Sequence, residues 1–231
     1  RFFLLTLVLK TRNKPYTRKL QVKKRDKAMN LDRTKHWEAV YETKNPDQVS
    51  WTQKIPKTSL EFIQSFGLEK TAKIIDIGGG DSKLVDCLLA EGYQNITVLD
   101  ISAKAIEKAQ NRLGEKAKKI NWIVSDITAF IPNTTYEIWH DRATFHFLTT
   151  PDQIKKYMNS ARNAVSGFLT IGTFSKQGPK KCSGLEIKQY DEQELTSEFE
   201  NGFEKIKCLQ EDHLTPFGTT QNFLFCSFRK K

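Results

Sequence analysis

The sequence predicts an α/β fold: a mostly parallel sheet with helices on both faces. Three observations predict it. Short apolar runs alternate with helical stretches between residues 72 and 174. A glycine turn, "IIDIGGGDS" at 74–82, joins the first apolar run to the helix that follows it. Near the C-terminus the alternation gives way to two longer β-like runs with a short connection, which implies an antiparallel hairpin on one sheet edge.

The elements follow in order. "LDRTKHWEAVYETK" (31–44) is helical, with Asp32 or Thr34 as N-cap, and Pro46 ends it. "IPKTSLEFIQSF" starts a second helix with Pro56 near its first turn and stops at Gly67. "AKIIDI" is a strand and "SKLVDCLLAEG" a helix closed by Gly92. "NITVLDI" is a strand and "AKAIEKAQNRLG" a helix closed by Gly114. "KINWIVSDI" and "YEIWHD" are strands, "PDQIKKYMNSARNAV" a helix and "GFLTIGTF" a strand. "DEQELTSEFE" is the last helix, and "FEKIKCLQEDHL" and "QNFLFCSFRK" are the hairpin strands.

The net charge of +10 is local. Residues 1–28 hold ten Lys/Arg against the single acid Asp26, so the remaining 203 residues are almost balanced and nucleic-acid binding is not supported. The apolar run in "RFFLLTLVLK" is too short to span a bilayer and has no small-residue cleavage site, so it is a poor signal peptide. A basic, acid-poor leader also fits an organelle transit peptide. The chain begins with Arg1, whereas Met29 opens "MNLDRTKHW" like the start of a domain. Residues 1–28 are therefore read as a basic extension outside the fold, and 29–231 as one domain with a helical lid at 29–66. Cys87, Cys182, Cys208 and Cys226 lie far apart without a C-x-x-C pair, so neither a metal site nor a disulfide is expected, and reduced thiols in a cytoplasmic protein are. No membrane partner is expected, and a monomer is.

The glycine turn fits two chemistries. The dinucleotide pattern G-x-G-x-x-G needs a third glycine for close helix–strand packing, and Lys83 stands there. Asp76 precedes Gly78, and Asp81 follows Gly80. Two carboxylates repel a pyrophosphate but suit a phosphate-free ligand with an amino group and a sulfonium, S-adenosylmethionine. Asp100 closes the second strand, where a carboxylate accepts from ribose hydroxyls, a feature that a dehydrogenase shares. Asp126 closes the third strand and is expected to accept from the adenine amino group, with the Ile127 backbone beside it and Ile101 packed on the ring. A hydride-transferring enzyme, or three ordinary strand-end aspartates, are the alternatives.

"IIDIGGGDS…VLDIS…VSDI" resembles motifs I, II and III of class I S-adenosylmethionine-dependent methyltransferases, over roughly residues 31–231. The resemblance implies a seven-stranded, mostly parallel Rossmann-like sheet of order 3-2-1-4-5-7-6 with its last strand antiparallel. It also implies S-adenosyl-L-methionine as cofactor and S-adenosyl-L-homocysteine as product. "AVSGFLTIGTF" lacks the Pro-Gly-Gly turn that the family often has before strand five. "HWEAVYETKNPDQVSW" resembles the W-x-x-x-Y…W segment of elongation-factor lysine methyltransferases and their bacterial relatives, on Trp37, Tyr41 and Trp51. Trp37 and Tyr41 share a helix face, and an aromatic lid over a sulfonium contributes about 0.5 to 2 kcal/mol. A buried amphipathic stripe is the alternative reading of the same two residues.

"YEIWHDRATFHFLTTP" follows strand four and concentrates His140, Asp141, Arg142 and His146. His140 and His146 are candidate bases, Asp141 a candidate orienting group, and the family resemblance places Arg142 by the cofactor. "HDRA" replaces the asparagine–proline–proline–tyrosine motif of amino-group methyltransferases, which speaks against DNA and glutamine acceptors. Tyr190, Phe217 and Thr220 are expected at the acceptor pocket. The expected activity is methyl transfer to a small molecule. A protein lysine acceptor is the alternative, and a non-catalytic cofactor-binding module is a second.

Overall fold

The computed structural model describes residues 32–231, so the basic extension at 1–28 and the start of the domain at Met29 lie outside the described residues. A helix at 32–43 (α1) leads through a 3-10 turn, Pro46–Gln48, to α2 (Lys57–Ser65). The alternating region follows: β1 (Lys73–Ile77), α3 (Leu84–Ala90), β2 (Asn95–Asp100), α4 (Ala103–Leu113), β3 (Ile120–Val124), β4 (Tyr136–Arg142), α5 (Pro151–Ala164) and β5 (Val165–Phe174). A small hairpin, β6 (Lys181–Cys182) with β7 (Leu185–Glu186), precedes α6 (Glu192–Phe199), β8 (Phe203–Leu214) and β9 (Thr220–Lys230). Side chains set the helix starts. Ser102 caps α4 through the Ala105 amide, and Thr150 with Gln153, and Asp191 with Glu194, form capping boxes on α5 and α6.

The main sheet has seven strands in the order β3-β2-β1-β4-β5-β9-β8. β8 and β9 are its sixth and seventh strands, so the expected order 3-2-1-4-5-7-6 stands. β9 runs antiparallel to β5 and to β8. The short hairpin β6–β7 was not expected, because two-residue strands leave no periodic signal.

Alternation along each strand divides the core. Ile75, Ile77, Leu99, Trp139 and Leu169 face α5 and α6 with Tyr157, Met158 and Phe199. Ile74, Ile96, Val98 and Ile138 face the other way, onto Leu60 and Ile63 of α2 and Leu84, Val85 and Leu88 of α3. α2 is thus part of a core layer, and only the stretch before it roofs the domain. One sequence expectation is corrected here. Cys208 and Cys226 form a disulfide, because the β8–β9 register sets them opposite each other with Cα atoms 4.1 Å apart. Eighteen residues of separation conceal that pairing in the sequence. Cys87 and Cys182 remain free thiols.

Candidate active site

The strand period of two puts Asp76, Asp100, His140 and Arg142 on the α2 face of the sheet, at the C-terminal ends of β1, β2 and β4. They line one cavity of about 510 Å³. Trp37, Tyr41, Trp51, Gly78, Ile101, Asp126 and Ile127 line it too, so nine of the ten residues expected at the cofactor share its wall. Gly80 lies just behind it. Gly78 and Gly80 have φ of 68° and 37°, a region that L side chains rarely adopt. A side chain at Gly78 would collide with Thr144 Oγ1, and a Cβ at Gly80 would sit 2.6 Å from Asp100 Oδ2. Glycine at both positions therefore lets the turn pack directly against Thr144 and Asp100.

The acids of the wall are already engaged. Asp76 Oδ1 lies 2.7 Å from His140 Nδ1, and Asp81 pairs with Arg112 of α4. Of the two carboxylates that flank the turn, Asp81 is thus charge-compensated by Arg112, which weakens the repulsion of a pyrophosphate expected from the sequence. Asp126 accepts from the Arg33 guanidinium at 2.5 Å and from the Thr128 amide and hydroxyl, both at 2.7 Å. An adenine amino group would join these donors on a carboxylate that can accept about four hydrogen bonds. Asp100 is different: Oδ1 accepts from the Ser102 amide at 2.8 Å, and burial pushes its carboxyl up to about 7.

The roof is aromatic and tied down. Trp37 and Trp51 lie 5.6 Å apart edge to face, Tyr41 is 6.3 Å from each, and Phe147 closes on Trp37 at 5.2 Å. Burial raises the Tyr41 phenol far above its ordinary range, so it stays neutral. Glu38 on α1 accepts from the first amides of α4, Ala103 at 2.6 Å and Lys104 at 3.2 Å, a favoured place for a negative charge. Arg33 makes the second tie, to Asp126. Neither tie is legible in the sequence, since both join residues at least 65 positions apart.

The segment after β4 departs from expectation. His140 is in the wall, but both ring nitrogens are taken, Nδ1 by Asp76 and Nε2 by Ser59 Oγ at 2.9 Å. It has no free nitrogen with which to act as a base. Asp141, the next residue, points to the other face and is fully buried. Its Oδ1 accepts from the Thr144 and Phe145 amides, at 2.9 and 3.2 Å, and its Oδ2 from the Tyr157 hydroxyl at 2.8 Å. It therefore orients no acceptor. His146 is also buried: Nδ1 accepts from the Phe174 amide, the ring stacks on Phe174, and burial pulls its pKa down to about 3. Arg142 does reach the cavity and donates Nη1 to the Trp51 carbonyl at 3.0 Å. Tyr190, Phe217 and Thr220 line no part of it. Tyr190 packs in the core against Phe145, and the other two are exposed on and beside the β8–β9 turn. Ser59 and Cys182, which no sequence signal singles out, do line it.

The family described as methyltransferase domain matches residues 74–166, the stretch that carries β1 to β4 and all three strand-end aspartates. Residues 74–166 thus carry a methyltransferase domain. The malonyl-[acyl-carrier protein] O-methyltransferase of Anoxybacillus flavithermus is 34% identical over 125 residues, 52% of this chain and 47% of that protein. The chain thus spans less than half the length of that relative. The EEF1A lysine methyltransferase 2 of Homo sapiens is 24% identical over 194 residues, 77% of this chain and 76% of that protein. Among solved structures, the 1,6-didemethyltoxoflavin-N1-methyltransferase of Burkholderia thailandensis, with S-adenosylhomocysteine bound, superposes with a TM-score of 0.65 at 16% identity. The match covers 90% of each chain and shares the fold.

The cradle fits the family's cofactor in its open glycine turn, its aromatic roof and an Asp100 carboxylate whose Oδ2 faces the turn. The Arg33–Asp126 tie gives a first prediction. Arg33→Ala is expected to weaken S-adenosylhomocysteine about fivefold, since a partly buried ion pair contributes roughly 1 kcal/mol to holding the roof. Calorimetry measures this. Tighter binding would mean instead that Arg33 competes with the cofactor for Asp126. Among the described residues, no helix is long and apolar enough to cross a membrane.

Proposed function

We propose that this chain transfers a methyl group from S-adenosylmethionine to a small-molecule acceptor. The observation that carries the reading is the roofed cavity of about 510 Å³, which lies within the ordinary range of small-molecule sites. The cofactor supplies a methyl carbon activated by its sulfonium. The protein's part is to position it. Asp100 and Asp126 hold the nucleoside end, the glycine turn admits the chain beyond it, and Trp37, Tyr41 and Trp51 present π faces to a cation. Asp76 and Ser59 fix the His140 ring, which supports the turn from below through the Asp76 carboxylate lying under Gly79. None of the histidines of the post-β4 segment offers a free nitrogen to the cavity, so the rate gain rests on orientation rather than on proton removal.

A protein lysine acceptor is the second reading. It is favoured by the 24% identity to the human EEF1A lysine methyltransferase 2, which extends across 77% of this chain, and by the Trp37–Tyr41–Trp51 cluster. A transfer screen with methyl-labelled cofactor separates the two. Label in the small-molecule fraction of a cell extract is the expected result. Label confined to protein would overturn the reading, and label in neither fraction, with S-adenosylhomocysteine still bound, would point to a non-catalytic binding module.

A further inference from the structure

We propose that Arg142 is the anion contact of the acceptor half of the cavity, so that the acceptor presents a carboxylate to it. The inference rests on the small-molecule reading and names its substrate class.

Arg142 is the last residue of β4 and lies on the cavity face of the sheet. Nη1 is bound to the Trp51 carbonyl, but Nε and Nη2 are buried without a hydrogen-bond partner among the described residues. Those two N–H groups form one fork of the guanidinium, the side that takes a carboxylate in a bidentate grip. The group sits over the Phe223 ring at 4.9 Å, in a wall that includes Trp51 and the Cys182 thiol, itself pushed up to about 12 by burial and hence neutral. Among the described residues, no carboxylate lies within ion-pair distance. Those of the cavity wall are held elsewhere, Asp76 by His140, Asp81 by Arg112, Asp126 by Arg33 and Asp100 by the Ser102 amide. Glu211 on β8 acts on Arg142 from farther off and keeps its own Oε2 unpartnered. A cation taken out of water is costly, and burial lowers its pKa to about 10 although the charges of Glu211 and Asp76 act in the opposite direction.

Two further features agree. Ala143, directly after it, holds φ of 72°, a left-handed conformation that costs a non-glycine residue energy, with its amide tied to the Gly172 carbonyl at 2.8 Å. That turn fixes the direction in which Arg142 leaves the strand. A carboxylate also arrives already deprotonated at neutral pH, which matches a site whose histidines offer no free base. An ammonium acceptor would instead meet the like charge of Arg142.

A carboxylate could also come from the cofactor's own amino-acid end, and the experiment separates the two sources. The protein is saturated with S-adenosylhomocysteine and titrated calorimetrically with malonate, glutarate and butylamine. The expected result is millimolar binding of a carboxylate and none of butylamine. Arg142→Met should weaken the carboxylate at least tenfold, and Arg142→Lys, which keeps the charge but lacks the fork, by an intermediate factor. S-adenosylhomocysteine affinity should stay within about threefold in both variants, which also shows that they fold. Absence of carboxylate binding to the wild-type complex overturns the proposal, as does binding that survives Arg142→Met. So does a tenfold loss of S-adenosylhomocysteine with methylthioadenosine unaffected, because the carboxylate would then be the cofactor's. Failure of the wild type to bind S-adenosylhomocysteine would instead remove the methyltransferase reading itself.

Discussion

Asp141→Ala is expected to lower the melting temperature by about 6 to 12 °C, roughly 3 kcal/mol, and to leave S-adenosylhomocysteine affinity within about threefold. The carboxylate takes three hydrogen bonds in a fully buried site, from the Thr144 and Phe145 amides and the Tyr157 hydroxyl. Tyr157 in turn accepts from Trp139 Nε1 at 2.9 Å, so one side chain anchors both the turn after β4 and the α5 layer. Alanine strands two amides and a hydroxyl away from water, and stranded donors cost more than a lost bond between exposed groups. Asp141→Asn keeps the acceptor for the amides and should lose far less. The pH dependence has a definite sign. Burial raises the Asp141 carboxyl to about 6, above the roughly 3.9 of an unfolded chain. Its contribution to stability is therefore complete below pH ~4 and is lost as pH rises through about 6. Thermal melts of the three proteins between pH 4 and 8 check this. A hundredfold drop in transfer rate at an unchanged melting temperature would return Asp141 to the acceptor and refute the structural role.

That role was within reach of the sequence and was missed. "YEIWHDR" is a strand, and adjacent strand residues point to opposite faces, so His140 and Asp141 could not both face one crevice. The same alternation, applied to "IIDI" and "ITVLD", correctly collects Asp76 and Asp100 on one face near the strand tips, where each acid stands out among mostly apolar neighbours. The element order was legible for the same reason: each apolar run is bounded by a cap or a breaker. Contacts set by register or by a lid were not legible. The Cys208–Cys226 pair depends on which β8 residue meets which β9 residue. The Arg33–Asp126 and Glu38–α4 ties depend on where α1 lands. Ser59 and Cys182 enter the wall only through the packing of α2 and of a two-residue strand.

Asp100→Ala is expected to weaken S-adenosylhomocysteine at least tenfold, as charge-assisted hydrogen bonds worth about 1.5 to 3 kcal/mol each are lost. The stronger test is pH. Asp100 is almost fully buried, and burial raises its carboxyl to about 7 against the partial relief of the Ser102 amide, with the charges of Asp76 and Glu38 raising it further. In the cofactor-free protein near neutrality, the group is therefore divided between its two forms. Hydroxyl donors favour the ionised form, so binding must remove the proton whenever the pH lies below about 7. Each unit of pH below that point then costs about 1.4 kcal/mol, a tenfold loss of affinity. Stability without ligand runs the opposite way. The folded carboxyl titrates above the unfolded one, so its contribution to the fold is complete below pH ~4 and is lost as pH rises through about 7. The cofactor-free protein should lose the stability due to this group over the range in which its affinity grows. Asp100→Asn removes the titration, so its affinity should be low and nearly flat between pH 5.5 and 8.5, and its melting temperature should lose the Asp100 component of the pH slope. Calorimetric titrations and melts of wild type and Asp100→Asn across that range decide the matter. A wild-type affinity that does not change with pH, or an Asn variant that keeps the same slope, would show that Asp100 does not hold the cofactor.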